Sequence, residues 1–221
     1  MKPALIFDMD GVIVDNNPFH KQAWEAFCQA YGHHLTEDEL RQNIYGKTNP
    51  DALNFLFGPL SEAEIKSFAE QKEQLYREIF RPYLQPVPEL LAFLQAPPQW
   101  FETLAIATSA PPSNVDFILD NLNIRHYFSL IVDETMVTHG KPNPEVYLTT
   151  AKRLGREPET CIVIEDSMSG IQAAKNAGMK VIGITTTHTP AELQPKVDLV
   201  IRDFTDLAQR LPEILPLSTT A

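Results

Sequence analysis

From residue 85 onward, five short apolar runs, TLAIATS, LIVDE, CIVIEDS, KVIGIT and DLVIRD, are each followed by a stretch with helical patterning. That alternation leaves few folds open. Strands that are apolar throughout must be covered on both faces, and strand–helix repeats achieve this with a parallel sheet. The N-terminal run ALIFDMD fits the same sheet, yet no convincing strand intervenes between it and Thr103. The expected fold is α/β, a doubly wound parallel sheet with a helical bundle inserted after its first strand.

The insertion has its own punctuation. Asn17 and Pro18 read as N-cap and first residue of a helix on which Phe19, Ala23, Trp24, Phe27 and Tyr31 recur at helical spacing before Gly32 stops it. Thr36 with Glu39, and Ser61 with Glu64, have capping-box spacing, and Asn49-Pro50 opens a further helix that Gly58 ends. The two connections to the sheet, DNNP at 15–18 and RPYLQPVP at 81–88, are rich in turn and helix-breaking residues. Expected domains are therefore 1–15 with 85–221 for the sheet, and 16–84 for the helical bundle. The final PLSTTA reads as a frayed tail.

A chain of 221 residues can bury one good core and carry a smaller accessory domain. With 18 Lys and Arg against 29 Asp and Glu, its formal net charge is −11. An acidic balance of that size argues against nucleic acid and against an anionic membrane surface as partners. Cys28 and Cys161 lie far apart in apolar stretches and read as buried free thiols of a reducing compartment. Neither a membrane-length apolar run nor a signal-peptide pattern is visible, so a cytoplasmic chain is expected, a monomer or weak homo-oligomer.

Ligands of a doubly wound sheet gather beyond the carboxyl ends of its strands. The residues found there are Asp8 and Asp10 after the first run, Thr108 and Ser109 after LAIA, Lys141 in HGKPNPE, and Glu165, Asp166 and Ser167 after CIVI. Taken singly, Asp166 could simply cap the helix that follows, and Lys141 could be a surface lysine. Two acidic pairs ending two strands of one sheet are harder to explain that way. All four acids are hard oxygen donors with no Cys or His beside them, the ligand chemistry of Mg2+ rather than Zn2+. Lys141 and Thr108 could grip a planar phosphoryl group on one side while a cation screens the other. A carboxylate is a competent nucleophile toward phosphorus, and a second can protonate the leaving oxygen and then deprotonate the acceptor.

Four motifs in order, DMDGVIVDN, IATSA, GKPNPEVY and IEDSMSGIQAAKNAG, resemble the signature of the haloacid dehalogenase superfamily of phosphotransferases, in particular its β-phosphoglucomutase and sugar-phosphate phosphatase branch. The resemblance covers nearly the whole chain and implies a Rossmann-like core with a mobile helical cap. It implies that Asp8 is the nucleophile, Asp10 the general acid/base, and Thr108 and Lys141 the phosphoryl contacts, with Ser109 and Ala110 beside them. Mg2+ would be bound by Asp8, the main-chain carbonyl of Asp10 and Asp166, with Glu165 in or next to its shell. Because Asp10 is present, carbon–halogen cleavage is not expected.

In the insertion, His20 and Trp24 of NPFHKQAW match positions that in the mutase sit by the acid/base and the hinge, and Lys72 of EQKEQLY matches a mutase cap lysine that touches the substrate; all three are expected on the substrate-binding side. The loop YGKTNPD departs from that pattern, since Asn49 aligns where the mutase carries an arginine that grips a second phosphate. Gly46 and Lys47 belong to the same loop, and Lys47 is the residue there that could compensate. Without a firm distal clamp, water becomes the expected acceptor. The expected activity is hydrolysis of a small phosphorylated metabolite, with β-phosphoglucomutase as the alternative. A phosphoacceptor signalling domain lacks such an insertion, and a silent binding protein on this fold would have no need of every catalytic position.

Overall fold

The computed structural model describes residues 2–44, 48–97 and 100–215. Gly46, Lys47 and the terminal PLSTTA lie outside the described residues. The chain divides into two compact units, Asn16–Leu84 and Met1–Asp15 with Gln85–Ala221.

The helical unit holds α1 (Asn17–Ala30), α2 (Glu37–Asn43), α3 (Asn49–Phe57) and α4 (Glu62–Phe80). Reciprocal capping boxes at Thr36/Glu39 and Ser61/Glu64 open α2 and α4. The Thr48 hydroxyl accepts from Asp51 N to open α3, and Gly58 ends it at φ +80°. One boundary differs from the sequence expectation: Asn16, not Asn17, is the N-cap of α1, and Pro18 is its second residue. The shift costs nothing, because the amides of a first helical turn lack intrahelical partners and a proline is tolerated at either position. Trp24, Phe27, Cys28, Leu40, Ile44 and Leu53 form the core of the unit.

The sheet unit carries six strands, β1 (Ala4–Phe7), β2 (Thr103–Ala107), β3 (Leu130–Val132), β4 (Cys161–Glu165), β5 (Lys180–Ile184) and β6 (Leu199–Ile201), in the order β3-β2-β1-β4-β5-β6. All pairings are parallel. The helices are α5 (Leu90–Gln95), α6 (Pro112–Asn121), α7 (Glu145–Leu154), α8 (Met168–Asn176), α9 (Pro190–Leu193) and α10 (Phe204–Arg210). Successive strand residues point to opposite faces. Ala4 and Ile6 of β1 pack with Val146 and Tyr147 of α7 and Ile171 and Ala174 of α8. On the other face Phe7 meets Phe93 of α5, Phe128, and Phe204 of α10, with ring centroids 6.2, 5.5 and 6.0 Å away. Helices thus cover both faces, which is why strands such as β1 and β4 are buried at every residue.

The strand order also places the chemistry. The chain adds β2 and β3 on one side of β1 and then returns to add β4 on the other, so the β1/β4 boundary is a switch point, where open α/β sheets form their ligand crevice. Phe7 is level with Ile164, and Asp8 N extends the ladder by donating to Ile164 O at 3.0 Å. Asp8 and Glu165 therefore arrive side by side. Among the described residues, no helix is long and apolar enough to cross a membrane.

Candidate active site

Asp8, Glu165 and Asp166 are 7%, 0% and 2% exposed, and one oxygen of each lies within 4.8 Å of the others. Three carboxylates withdrawn from water this closely need positive charge among them. Lys141, in the loop before α7, supplies one such charge. Its Nζ lies 2.9 Å from Asp8 Oδ1 and 2.6 Å from Glu165 Oε1, and 5.0 Å from the centre of the Tyr147 ring.

Glu165 is held from every side. Its Oε1 accepts from Lys141 and, at 2.8 Å, from the Tyr147 hydroxyl. Its Oε2 accepts from the amides of Asp166 and Ser167 and from the Ser167 hydroxyl, each at 3.0 Å. Asp166 is not the cap of α8; that place belongs to Ser167, whose hydroxyl accepts from Gly170 N. Asp166 Oδ2 instead accepts from the Thr187 hydroxyl just past β5. Two glycines make room for these carboxylates. A Cβ on Gly11, which sits at φ +77°, would stand 2.0 Å from Asp166 Oδ2, and one on Gly170 would stand 1.6 Å from Glu165 Oε1.

The charge distribution follows from this packing. Burial, with repulsion from Glu165, Asp166 and Asp10, raises Asp8 well above the usual carboxylate range despite the opposing Lys141. Burial and Glu165 raise Asp166 to about 7, against the pull of the Thr187 hydrogen bond and Lys141. Burial alone would raise Glu165 and lower Lys141. The charges of Asp8 and then Glu165 outweigh it at Lys141, and the Lys141 charge with the hydrogen bonds from Lys141, Ser167 and Tyr147 outweighs it at Glu165, leaving Glu165 below and Lys141 well above their ordinary values. One ammonium is thus shared between Asp8 and Glu165, too little positive charge for three buried carboxylates. A buried, all-oxygen donor set in that condition could hold a hard divalent cation.

Asp10 follows Asp8 in a tight loop, closed by Gly11 N to Val14 O at 2.7 Å and Ile13 N to Met9 O at 2.8 Å. Its carboxylate is not one of the three that meet, although its charge acts on both Asp8 and Asp166. Thr108 is buried one residue beyond β2, with its amide on Val132 O and its hydroxyl accepting from Ala110 N at 3.1 Å. Thr108, exposed Ser109 and buried Ala110 precede α6, whose N-cap is Pro111, so they form a turn ahead of the helix rather than its start.

The expected substrate-reading residues of the helical unit converge on one that the sequence did not single out, Glu73. Lys72 Nζ is 2.8 Å from Glu73 Oε1, which also accepts from Asn49 Nδ2 at 3.0 Å. The same ammonium lies 3.2 Å from His20 Nδ1 and 5.1 Å from the centre of the Trp24 ring. His20 stacks on Tyr76, whose hydroxyl accepts from Asn16 Nδ2 at 2.6 Å. Lys72 and Glu73 are 3% and 4% exposed, and Trp24 belongs to the core. A signal for Glu73 exists in the sequence: with Tyr76 and Phe80 it falls on the buried stripe of α4, where a carboxylate demands a partner. Tyr147, on the buried face of α7, carries the same kind of signal, since a buried phenol needs an acceptor.

The family described as haloacid dehalogenase-like hydrolase matches residues 5–184. A phosphorylated carbohydrates phosphatase of Thermotoga maritima is 34% identical over 178 residues, covering 80% of this chain and 82% of that protein. A β-phosphoglucomutase of Bacillus subtilis is 31% identical over 224 residues, covering 94% of this chain and 92% of that protein. A crystal structure of a family IA, variant 3 hydrolase from Entamoeba histolytica superimposes with a TM-score of 0.82 at 30% identity, over 92% of this chain and 94% of its own.

Proposed function

Because this chain belongs to the haloacid dehalogenase-like hydrolase family and is an enzyme, we propose that it is a Mg2+-dependent hydrolase of phosphate monoesters, acting on a small sugar phosphate or related metabolite through an aspartyl-phosphate. The observation that carries this reading is the placement of Lys141 between Asp8 and Glu165 with Asp166 in the same buried group. A phosphorylated carbohydrates phosphatase among the relatives supports the substrate class. The buried free thiols Cys28 and Cys161 suit a reducing, cytoplasmic setting.

In the first half-reaction Asp8 attacks phosphorus as the bond to the leaving oxygen breaks, and Asp10, as the acid, gives that oxygen its proton. In the second, Asp10 takes a proton from water, the water oxygen bonds to phosphorus, and the bond to Asp8 breaks, releasing inorganic phosphate. Lys141 and Thr108 hold the phosphoryl oxygens through both steps. Asp8, Asp166 and the carbonyl of Asp10 would hold Mg2+, while Glu165, with five hydrogen bonds already accepted, stands beside it and fixes Lys141. When bound, the cation would keep Asp8 ionised and offset phosphoryl charge.

His20, Trp24, Asn49 and Lys72 are assigned to the substrate side, and their chemistry favours a neutral leaving group. Lys72 is already balanced by Glu73, and Asn49 donates to the same carboxylate, which suits sugar hydroxyls better than a second phosphate. The test is phosphorus NMR with Mg2+, β-glucose 1-phosphate, a trace of glucose 1,6-bisphosphate and a panel of other sugar monophosphates. Inorganic phosphate should accumulate, and a chelator should stop it. Rapid growth of glucose 6-phosphate would instead make the chain a mutase, like its relative from Bacillus subtilis.

A further inference from the structure

We infer that Glu145 is a positioning residue for Lys141: its carboxylate closes the loop 138–145 and so aims the Lys141 ammonium at the phosphoryl site. This rests on the proposed role of Lys141 as a phosphoryl contact.

Lys141 carries a buried ammonium on an exposed loop. Its side chain is 7% exposed, whereas Thr138, His139, Gly140, Pro142 and Asn143 are exposed and residues 137–144 belong to no helix or strand. Apolar packing offers such residues little against the conformational entropy that ordering them costs, so polar contacts must hold the loop. Glu145 Oε1 accepts from Thr138 N at 2.8 Å, and Oε2 accepts from His139 N at 2.9 Å, with His139 Nδ1 also 2.9 Å from Oε2. Within the closed loop Asn143 N donates to Gly140 O at 3.1 Å, and Asn176 Nδ2 of α8 donates to Pro142 O at 3.2 Å. The backbone is therefore tied on both sides of Lys141.

Glu145 is the first residue of α7, where an acid ordinarily serves its own helix. That helix start is already supplied: Asn143 Oδ1 accepts from Glu145 N at 3.0 Å, and Pro144 O accepts from Tyr147 N and Leu148 N at 3.1 and 3.0 Å. The carboxylate instead turns back seven and six residues, to amides that precede Lys141. The hydrogen bonds from Thr138 and His139 hold its carboxyl below the usual range, so the ionised group makes the contact at neutral pH. Lys141 Nζ must reach Asp8 and Glu165 at 2.9 and 2.6 Å from this loop, and a displacement of about 1 Å at a reacting centre can cost about 100-fold in rate.

The experiment is steady-state hydrolysis of p-nitrophenyl phosphate with Mg2+ by the full chain, for the wild type, Glu145→Ala, Glu145→Gln and Glu102→Ala. The Glu145 side chain is 29% exposed, so alanine opens no cavity in the core, and circular dichroism with thermal melts verifies the fold. Glu102→Ala removes another surface carboxylate, from Arg156 at the start of β2 and so at the opposite end of the sheet, and should keep the wild-type kcat. In Glu145→Ala kcat should fall roughly 10- to 100-fold with KM little changed. Glu145→Gln, which keeps one acceptor oxygen, should fall less, and it carries the test should alanine melt early. A folded Glu145→Ala, or in its place Glu145→Gln, whose kcat falls no more than that of Glu102→Ala overturns the inference alone. A wild type that hydrolyses neither this ester nor the sugar monophosphates overturns the proposed function, and the inference with it.

Discussion

The Tyr147 hydroxyl donates across 2.8 Å to Glu165 Oε1, the oxygen that also receives Lys141 Nζ at 2.6 Å. Burial and the neighbouring Glu165 carboxylate push this phenol well above its ordinary pKa, so at neutral pH it is a donor. Lys141 is thus positioned by a carboxylate that is itself positioned by a tyrosine eighteen residues away in sequence.

Tyr147→Phe keeps the ring over Lys141 and removes only the donor. A hydrogen bond to a charged group contributes about 1.5–3 kcal/mol, so the melting temperature should fall and kcat should drop by roughly tenfold with KM little changed. Thermal melts and steady-state kinetics check both. A variant with full kcat would show that Lys141 is placed without help from this residue.

Gly170→Ala sets helix propensity against sterics. Within α8 an alanine should by propensity stabilise by up to about 1 kcal/mol. Here the added methyl would stand 1.6 Å from Glu165 Oε1. Urea unfolding should therefore show a loss of about 1–3 kcal/mol, with turnover reduced as Glu165 shifts. Gly140→Ala is the control, because its Cβ would meet nothing within 4 Å. Equal stability in the two variants would contradict the packing described for Glu165.

Asp8→Asn should abolish turnover while making the metal-free protein more stable at neutral pH. The sign follows from the raised pKa of Asp8: an acid raised on folding opposes folding when ionised, at pH above its unfolded value. The stability gap between variant and wild type should close as pH falls through the ordinary carboxylate range, where both states bind the proton. Mg2+ at about a hundred times its Kd should stabilise the wild type by about 2.7 kcal/mol and the variant by much less. Denaturant unfolding across pH, with and without Mg2+, reads the three stability effects, and a phosphatase assay reads the loss of turnover.

Glu73→Gln probes the cluster of the helical unit. Burial alone would raise Glu73, but Lys72, His20 and the hydrogen bond from Asn49 lower it to about 2. A carboxylate depressed on folding stabilises above its unfolded pKa, and that stability is lost as pH falls from about 4.5 toward 2. The difference corresponds to at most about 3 kcal/mol. Glu73→Gln should be destabilised at pH 7 and should approach the wild type at pH 3. Parallel acid titrations followed by circular dichroism would show a constant gap if Glu73 did not titrate in this window.

Elements and motifs were legible because their signals are local. Thr36 with Glu39 and Ser61 with Glu64 lie three residues apart, the reach of a capping box, and both boxes form. The apolar runs from TLAIA to LVI each became a strand, because a run apolar on both sides has one economical place, inside a covered sheet. Asp8, Lys141, Glu165 and Asp166 were singled out because each follows or accompanies such a run.

Other residues were not legible, since their importance lies in contacts that no local pattern encodes. Thr186 meets the Gly11 carbonyl across 175 positions, and Thr187 meets Asp166 across 21. Glu165 could be read as an acid at a strand end, but not as one whose oxygens would be occupied by Lys141, Tyr147, Asp166 and Ser167.

By itself, then, the sequence determined the strands, the helices of the insertion with the capping boxes of α2 and α4, and the residue types gathered at the strand ends, since periodicity and capping chemistry act within one or two turns. Only the tertiary structure decided that Asp8 and Glu165 share the lysine, that Asp166 leans on a threonine, and that Glu73 neutralises Lys72. Those outcomes depend on strand order and side-chain volume at close packing, where a single Cβ at Gly11 or Gly170 would exclude the arrangement.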